Sequence, residues 1–535
     1  MSKKSMTILI IIMVSVIFSA CSLLNNIKEY INHNKTEISG RLTMEQRLED
    51  FHYMYDILEE CYPYFEIKKR MLNYDWLAHK QDFEAMIKAT KSDVDFYNVM
   101  DRITTLMQSG HTHILDYDNY QYFKQVYENP HSAYSPSRRD VLKNEKVAEM
   151  YEYWNNTIKW DYHFIPILFR YVEGKYVVVN GNIDKYNIPR GSVLETVNGI
   201  TTNEYVKSLN SMQYLEYDYK RKKQKASYLI IYTEDNSAVD LTLTTPDGSW
   251  IETAVKEGPF TQQVFFSEDS DKNYTLKVLQ QDKTAYIRLR SMQVQDRFES
   301  EEDKKVIYDF MKSIEKYPYL IIDIRGNGGG SSGYWRSNLL AFILQRHTSI
   351  TSYVAFKDSE YLKPFITERM GAKNMQPISE LPPNNNYPPE LMKDFAYFYS
   401  EENAVTPWNP VHFSGKIYLL VDDNSYSSAE GFAVYAQATR LATLVGTATG
   451  GDGIGADAAM LALPNSGLVL RFSSVMGINP DGTANEETHT QPDVYIEQSY
   501  DDFLGLLDET GKDLIIGTKY DTVLNYILKE ISSGK

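Results

Sequence analysis

The chain has 535 residues, of which 43% are hydrophobic and 24% are charged, and its formal net charge at pH 7 is -17. This composition is typical of a folded protein of several domains, and it excludes a largely disordered chain and a polytopic membrane protein. The excess of acidic residues argues against nucleic acid as a partner, because phosphate backbones attract basic surfaces. Cys21 and Cys61 are the only cysteines, which excludes a disulfide framework and a four-cysteine zinc site.

The N-terminus has the features of an export signal. Two lysines precede an apolar run over residues 7–20, whose length suits the hydrophobic part of a signal peptide. The run ends in Phe18-Ser19-Ala20-Cys21, which resembles the processing box of bacterial lipoproteins. The resemblance implies cleavage after residue 20, lipidation of Cys21 and a location outside the cytoplasm, on a bacterial cell membrane. An uncleaved anchor is the alternative, since residues 7–24 are just long enough to cross a bilayer.

The next two regions differ in pattern. Residues 21–43 are polar without periodicity and are interpreted as a tether. In residues 44–160, apolar side chains recur at steps of three and four, which predicts a helical N-terminal domain. Residues 161–262 hold short β-rich runs such as Tyr228–Tyr232, separated by Gly, Asn and Asp, and predict a small β domain.

One segment of the predicted β domain, residues 188–199, resembles the middle of a PDZ domain. It contains a turn, a strand and an Asn-Gly pair that leads into the next strand. PDZ domains bind a peptide C-terminus as an added strand and hold its carboxylate on backbone N–H groups. The resemblance therefore makes Gly191, Val193 and Leu194 the candidate peptide-binding residues. The alternative is a small β domain with a hairpin at this place and no ligand.

Residues 263–500 predict an α/β core. A helix over Glu302–Glu315 precedes Tyr319–Ile324, a near-continuous apolar strand typical of a sheet that is covered on both faces. Residues 357–414 interrupt this alternation of strands and helices, because seven of the chain's 19 prolines fall between 377 and 410. Such a composition does not favour a strand, and it predicts an inserted lid or rim, with disorder as the alternative. A C-terminal helical segment, 501–535, completes the predicted α/β multi-domain fold.

The apolar strand runs into Asp323-Ile324-Arg325-Gly326-Asn327-Gly328-Gly329-Gly330, ahead of a predicted helix. Glycines allow positive φ angles and let backbone N–H groups turn toward an anion. Two interpretations compete at this point. Gly328, Gly330 and Gly333 fit the dinucleotide-binding pattern, with Asp358 as a ribose-binding acid. The other interpretation is an oxyanion hole.

A second strand, Ile417–Val421, leads through a polar turn into a helix predicted to begin near Ser428. A serine at a strand-to-helix corner projects its hydroxyl, and the N–H group that follows points to where negative charge develops. The alternative is a serine-rich N-cap with no chemical role.

Together the two motifs, at 323–330 and 427–430, resemble the tail-specific (C-terminal processing) serine peptidase family. The resemblance implies a PDZ-like domain, a crotonase-like α/β core and hydrolysis of polypeptides without a cofactor or a metal. It also implies that Ser427 is the nucleophile. The oxyanion hole would then be the N–H groups of Ser428 and of Gly329, with Gly328 as the other possibility.

The tail-specific branch uses a lysine base, but that position here holds Asp452, and no lysine occurs between residues 417 and 511. His111 resembles the histidine base of the tricorn-core and interphotoreceptor retinoid-binding-protein-like branch. That branch orients its histidine with a late glutamate, which matches Glu486, with Glu487 as the fallback. A histidine can take the serine proton near neutral pH, and a carboxylate fixes its tautomer.

Other interpretations of this set of residues stay open. His111 and His113 could be ordinary surface or core histidines, or a metal pair, although a third ligand at metal spacing is missing. The whole chain could also be a catalytically inactive family member that binds peptides or apolar ligands.

Overall fold

A computed structural model describes residues 40–128, 135–158, 163–233, 237–260, 272–293, 297–455 and 457–534. The predicted signal peptide, Cys21 and most of the predicted tether lie outside these ranges, as do the predicted domain boundaries at 160 and 262. Within the described ranges, no helix combines the length and the apolarity that crossing a membrane requires.

The N-terminal region is helical, as its apolar periodicity predicts. Its elements are α1 (Met44–Cys61), α2 (Phe65–Leu72), α3 (Lys80–Ala89), α4 (Asp93–Thr105), β1 (His113–Ile114), α5 (Tyr117–Glu128), α6 (Pro136–Leu142) and α7 (Glu145–Thr157). Capping boxes at Thr43 and Ser92 begin α1 and α4 and satisfy N–H groups that a helix start leaves without partners. The apolar faces of these helices share one core with residues 354–399 and 454–478. The helical region therefore packs directly on the C-terminal half of the chain.

The β-rich region forms one seven-stranded sheet and a separate two-stranded hairpin. Its elements are β2 (Phe164–Val172), β3 (Lys175–Gly181), β4 (Val193–Val197), β5 (Ile200–Thr201), α8 (Thr202–Ser208), β6 (Glu216–Asp218), β7 (Lys223–Lys225), β8 (Tyr228–Tyr232), β9 (Ala238–Thr244) and β10 (Trp250–Lys256). The strand order is β10-β9-β4-β3-β2-β8, with β5 paired to β4, and β6 pairs with β7. Asn198 and Gly199 both have positive φ angles and make the tight turn from β4 to β5.

The predicted α/β core contains a six-stranded sheet with the order β11-β12-β13-β17-β18-β22. The elements from this region onward are β11 (Tyr274–Gln280), β12 (Thr284–Leu289), α9 (Arg297–Ser313), β13 (Tyr319–Asp323), α10 (Ser332–Trp335), a π-helical turn (Arg336–Leu340), α11 (Ala341–Ile343), β14 (Thr348–Phe356), α12 (Lys363–Met370), β15 (Gln376–Pro377), α13 (Leu391–Asp394), β16 (Tyr397–Val405), β17 (Lys416–Val421), α14 (Ser428–Ala438), β18 (Thr443–Gly446), β19 (Ala459–Ala462), β20 (Val469–Phe472), β21 (Met476–Ile478), α15 (Asn485–Thr488) and β22 (Val494–Tyr495). Short 3-10 turns occur at Trp76–His79, Ile183–Tyr186, Leu209–Ser211, Ala372–Asn374 and Ile378–Glu380.

In the six-stranded sheet, β12, β13, β17, β18 and β22 run parallel, so their carboxyl ends meet at one edge. Asp323 at the end of β13 pairs with Leu420 near the end of β17. This register brings the glycine run that follows β13 beside the serine motif that follows β17. Such an edge is where open α/β sheets bind their ligands.

The structure corrects the prediction for residues 357–414. Their C-terminal part contains β16, which pairs with β14 over nine residues in a four-stranded sheet ordered β15-β16-β14-β21. The prolines lie on either side of Tyr397–Val405 rather than inside it, so they do not interrupt its hydrogen bonds. Buried Phe398 and Tyr399 join the core of the helical region. This part of the segment is thus a sheet strand and not a lid.

Two helices at the C-terminal end cover two different sheets. They are α16 (Tyr500–Thr510) and α17 (Thr522–Ser533). Phe503 and Leu507 of α16 pack on β2 and β3 of the seven-stranded sheet. Ile527 and Ile531 of α17 pack on β13 and β17 of the six-stranded sheet.

Candidate active site

Ser427 lies at the turn between β17 and α14 and has an unusual backbone. Its φ of 56° and ψ of -119° fall where side chains other than glycine are rare. The strained turn is held by two backbone hydrogen bonds, from the Ser427 N–H to the Gly451 carbonyl (3.1 Å) and from the Gly431 N–H to the Ser427 carbonyl (2.9 Å). The Ser427 side chain caps no N–H group of the helix. A sharp strand-to-helix turn of this kind holds the serine hydroxyl out from the sheet.

The glycine run lies directly against Ser427. A Cβ atom at Gly329, whose φ is 98°, would be 2.8 Å from the Ser427 Cβ and 2.9 Å from the Ser428 nitrogen. Buried Asn327 fixes this approach, because its carbonyl accepts the Tyr426 N–H (3.1 Å) and its Nδ2 donates to the Leu289 carbonyl (3.0 Å). Glycine is therefore required at 329 for contact with the Ser427 turn.

The two glycines predicted as oxyanion donors differ in whether their N–H group is free. The Gly329 N–H donates to Asn327 Oδ1 at 3.0 Å and so already has an acceptor. The N–H groups of Gly328, Gly330 and Ser428 have no acceptor among the described residues. Of the two glycines that the sequence left open, Gly328 is thus the one with a free donor.

The Asp-x-Arg part of the first motif has a structural role here. Asp323 and Arg325 are buried and paired at 2.6 Å, and Arg325 also binds both carboxylate oxygens of Asp521 at the start of α17. Asp521 in turn accepts the Leu524 N–H and caps the helix. This ion-pair network ties the edge of the sheet that carries the candidate site to the C-terminal helix.

His111 is paired with Asp452. The distance from His111 Nδ1 to Asp452 Oδ2 is 2.5 Å, and the Tyr426 hydroxyl donates to the same oxygen at 3.3 Å. The rings of His111 and Tyr426 are in contact, with centroids 4.9 Å apart, so His111 lies beside the residue that precedes the serine. A carboxylate at Nδ1 leaves Nε2 as the nitrogen that can exchange a proton with a substrate or a nucleophile.

The Asp452 carboxylate is 11% exposed and stays charged. Burial acts to raise the pKa of Asp452, but His111 and Arg471 outweigh it and hold that pKa below its ordinary value. Burial, with Asp452 and Glu486 nearby, raises the pKa of Tyr426 well above its ordinary value, so its hydroxyl keeps the proton that it donates.

The predicted contact between Glu486 and His111 is not formed. The Glu486 carboxylate pairs instead with Lys68 Nζ at 2.6 Å, and only 5% of its side chain is exposed. The fallback, Glu487, binds Arg70 at 2.7 Å. Glu486 and Glu487 are thus both paired with basic side chains of α2. Asp452 is the carboxylate that binds His111.

The sequence predicts no role for Asp452, but it carries two signals of one. Asp452 stands where the family resemblance would place a lysine base near the serine, and it is flanked by glycines that allow an unusual backbone. Asp452 has a φ of 51°, in the left-handed region.

His113 occupies a different environment from His111. It lies in β1, opposite Arg471 in β20. Burial, together with the charges of Arg471 and His111, lowers the pKa of His113 to about 4. His113 is therefore a neutral side chain of the sheet near pH 7.

The candidate peptide-binding residues are not on an open sheet edge. Val193 and Leu194 belong to β4, which pairs with β3 on one side and β9 on the other. The Gly191 N–H donates to the Val178 carbonyl at 2.9 Å, and a Cβ atom at Gly191 would be 2.2 Å from Leu504 of α16. The prediction that a peptide adds as a strand at these residues is therefore wrong.

The dinucleotide interpretation does not fit the glycine run either. Gly330 packs on the backbone of Met292 and so faces the protein rather than a ligand. Asp358 pairs with Lys363 at 3.6 Å. Among the described residues, no group of three or more His, Cys, Asp or Glu side chains is arranged to hold a metal ion.

The α/β core that carries Ser427 has the sequence of a serine-type peptidase. Residues 283–496 match the model of peptidase family S41, which confirms the family resemblance drawn from the two motifs. A search of curated proteins gives no match.

Two solved structures of mature CPAF share the fold. Mature CPAF complexed with lactacystin is similar over 92% of this chain and 99% of that chain, with 14% identity and a TM-score of 0.56. A second structure of mature CPAF is similar over 92% of this chain and 98% of that chain, with 13% identity and a TM-score of 0.55. The photosystem II D1 C-terminal processing protease is similar over 90% and 97%, with 13% identity and a TM-score of 0.37.

Proposed function

We propose that this peptidase acts outside the cytoplasm, anchored to a bacterial membrane by a lipid on Cys21, and cleaves polypeptides with Ser427, His111 and Asp452. The observation that carries the catalytic part is the 2.5 Å contact between His111 and Asp452 beside the strained Ser427 turn. The location rests on the N-terminal sequence alone.

In the proposed reaction, His111 Nε2 takes the hydroxyl proton of Ser427 as its oxygen attacks the peptide carbonyl carbon. Asp452 holds the imidazole in the tautomer that leaves Nε2 free and stabilises the imidazolium. The oxyanion of the tetrahedral intermediate binds the N–H groups of Ser428 and Gly328. His111 then protonates the leaving amine, and water hydrolyses the acyl-enzyme with His111 again as the base.

A fluorophosphonate probe tests this function, because it reacts only with an activated serine. We expect it to label the protein at Ser427, and Ser427→Ala to lose both the label and peptidase activity. Label that persists in Ser427→Ala would place the nucleophile elsewhere.

A non-catalytic, ligand-binding role is the second candidate. One observation favours it: the Gly329 N–H, the donor that the family resemblance implies, is bound to Asn327 Oδ1, so that catalysis would depend on the Gly328 N–H instead. A protein that folds, binds peptides and does not react with the probe would support this role.

The location has a separate test. Cys21→Ala should abolish incorporation of a radiolabelled fatty acid and release the protein from the membrane fraction. Labelling that is unchanged in Cys21→Ala would contradict lipidation at this residue.

A further inference from the structure

The loop Gly450–Gly453 carries Asp452 and is anchored to its surroundings on two sides. On the side of the nucleophile turn, the Gly451 carbonyl accepts the Ser427 N–H, and the Gly450 N–H donates to the Ser425 carbonyl at 3.0 Å. These two backbone bonds hold Gly450 and Gly451, at the start of the loop. Gly453, at its end, is held through side chains.

Glu430 lies on that other side, three residues after Ser427 in the first turn of α14, and is fully buried. Its Oε1 accepts hydrogen bonds from Asn485 Nδ2 and from the Thr490 hydroxyl, both at 2.7 Å. Asn485 Oδ1 accepts the Gly453 N–H at 2.8 Å. The chain of bonds runs from the nucleophile helix through Glu430 and Asn485 to the residue after Asp452.

Direct packing reinforces these hydrogen bonds. A Cβ atom at Gly453 would be 2.4 Å from Glu430 Cγ, so the loop backbone lies against the Glu430 side chain. The carboxyl thus acts both as a hydrogen-bond acceptor and as a spacer between α14 and the loop.

Stability alone does not explain a carboxyl at this place. Glu430 Oε2 has no hydrogen-bond partner among the described residues, and burial raises the pKa of Glu430. A buried polar atom without a partner lowers stability, which an apolar side chain of the same size would avoid.

We infer that Glu430 is a positioning residue, which sets the place of Asp452, and through it of His111, relative to Ser427. The inference rests on the proposed function, since it assigns Glu430 to the catalytic role of Asp452. Glu430 itself touches neither substrate nor the reacting atoms.

The test compares single and double variants in steady-state kinetics. We expect Glu430→Ala to lower kcat about tenfold or more with little change in KM, because a small displacement of a catalytic group slows the reaction without weakening binding. Asn485→Ala should act in the same way, and it keeps the test informative should Glu430→Ala fail to fold. Glu430→Gln should restore most of the rate, since its amide oxygen can accept the same two hydrogen bonds.

Gln437→Ala is the matched control. Gln437 lies further along the same helix and donates to the Gln491 carbonyl at 2.8 Å, so its loss removes a bond between the same two segments away from Gly453. Its kcat should stay within about twofold of the parent.

A double-variant cycle separates positioning from general weakening. In an Asp452→Asn background, Glu430→Ala should have little further effect on kcat, because both changes act through the same carboxylate. Glu430→Ala should also move the midpoint of the pH profile of kcat/KM in the same direction as Asp452→Asn. An undiminished effect in the Asp452→Asn background, or an unmoved midpoint, would overturn the inference, whereas an Asp452→Asn variant with full activity would overturn the proposed function.

Discussion

The two sides of the candidate site are built in different ways. The nucleophile side consists of Ser427 and the glycine run, two adjacent strand ends held together by backbone hydrogen bonds and by glycines that allow close contact. The base side consists of His111, Asp452 and the Glu430–Asn485 bridge, which side chains join across long stretches of sequence. The two sides should therefore respond to different mutations. Loss of one polar side chain should disrupt the base side, whereas an added side-chain atom should disrupt the nucleophile side.

The largest expected effect is on the base side. His111→Ala should lower kcat by about 10³-fold or more, since the members of a catalytic triad act as a unit. His113→Gln is the control, because His113 lies in β1 without a role in the reaction, and its kcat should stay within about threefold. Full activity of His111→Ala together with loss in His113→Gln would reverse the assignment of the two histidines.

The second largest effect is a difference in kcat between variants of Asp452 and Glu486. Asp452→Asn should lower kcat by about 10²-fold or more, because the histidine loses the partner that fixes its tautomer. Glu486→Gln should stay within about tenfold of the parent, since Glu486 binds Lys68 and not His111. Steady-state kinetics of the two variants measure this contrast, and the reverse order would restore Glu486 as the orienting residue.

A change of backbone tests the nucleophile side. In Gly329→Ala the added methyl would lie 2.7 Å from the Tyr426 carbonyl oxygen and 2.8 Å from the Ser427 Cβ, at a φ of 98°. The Ser427 turn must then move, and we expect kcat to fall at least tenfold and the free energy of unfolding to fall by about 1–3 kcal/mol. Gly328→Ala is the matched control for sterics, since nothing lies within 4 Å of its added Cβ. Equal losses of stability in the two variants would contradict close packing at 329.

The last expected effect is on the pH dependence of stability and leaves catalysis at neutral pH unchanged. The pKa of His113 is about 4 in the folded protein and about 6.5 in an unfolded chain. Between pH 6.5 and 4 the unfolded chain therefore binds a proton that the folded protein does not. As the pH is lowered through this range, the free energy of unfolding decreases by at most about 3 kcal/mol. Above pH 6.5 this loss is absent. Urea unfolding at pH 7 and pH 4.5 should show a smaller decrease in His113→Gln than in the parent, and equal decreases would contradict the burial of a neutral histidine.

Much of the nucleophile side follows from the sequence because it is local. The apolar run at 319–324 predicts β13, and the polar turn after Ile417–Val421 predicts a helix that does begin at Ser428. The pairing of His111 with Asp452 joins residues 341 positions apart, which no periodicity indicates. The covering of Gly191 by α16 and the strand at Tyr397–Val405 are likewise decided by tertiary packing.

The two C-terminal helices have a consequence for how the protein is made. His111 and Ser427 leave the ribosome before α16 and α17 exist, when both sheets still lack an outer layer and Arg325 has no Asp521 to bind. The active edge of the six-stranded sheet is thus completed only when residues 500–533 have been synthesised. We expect proteolytic activity to appear only after residues 500–533 have been synthesised.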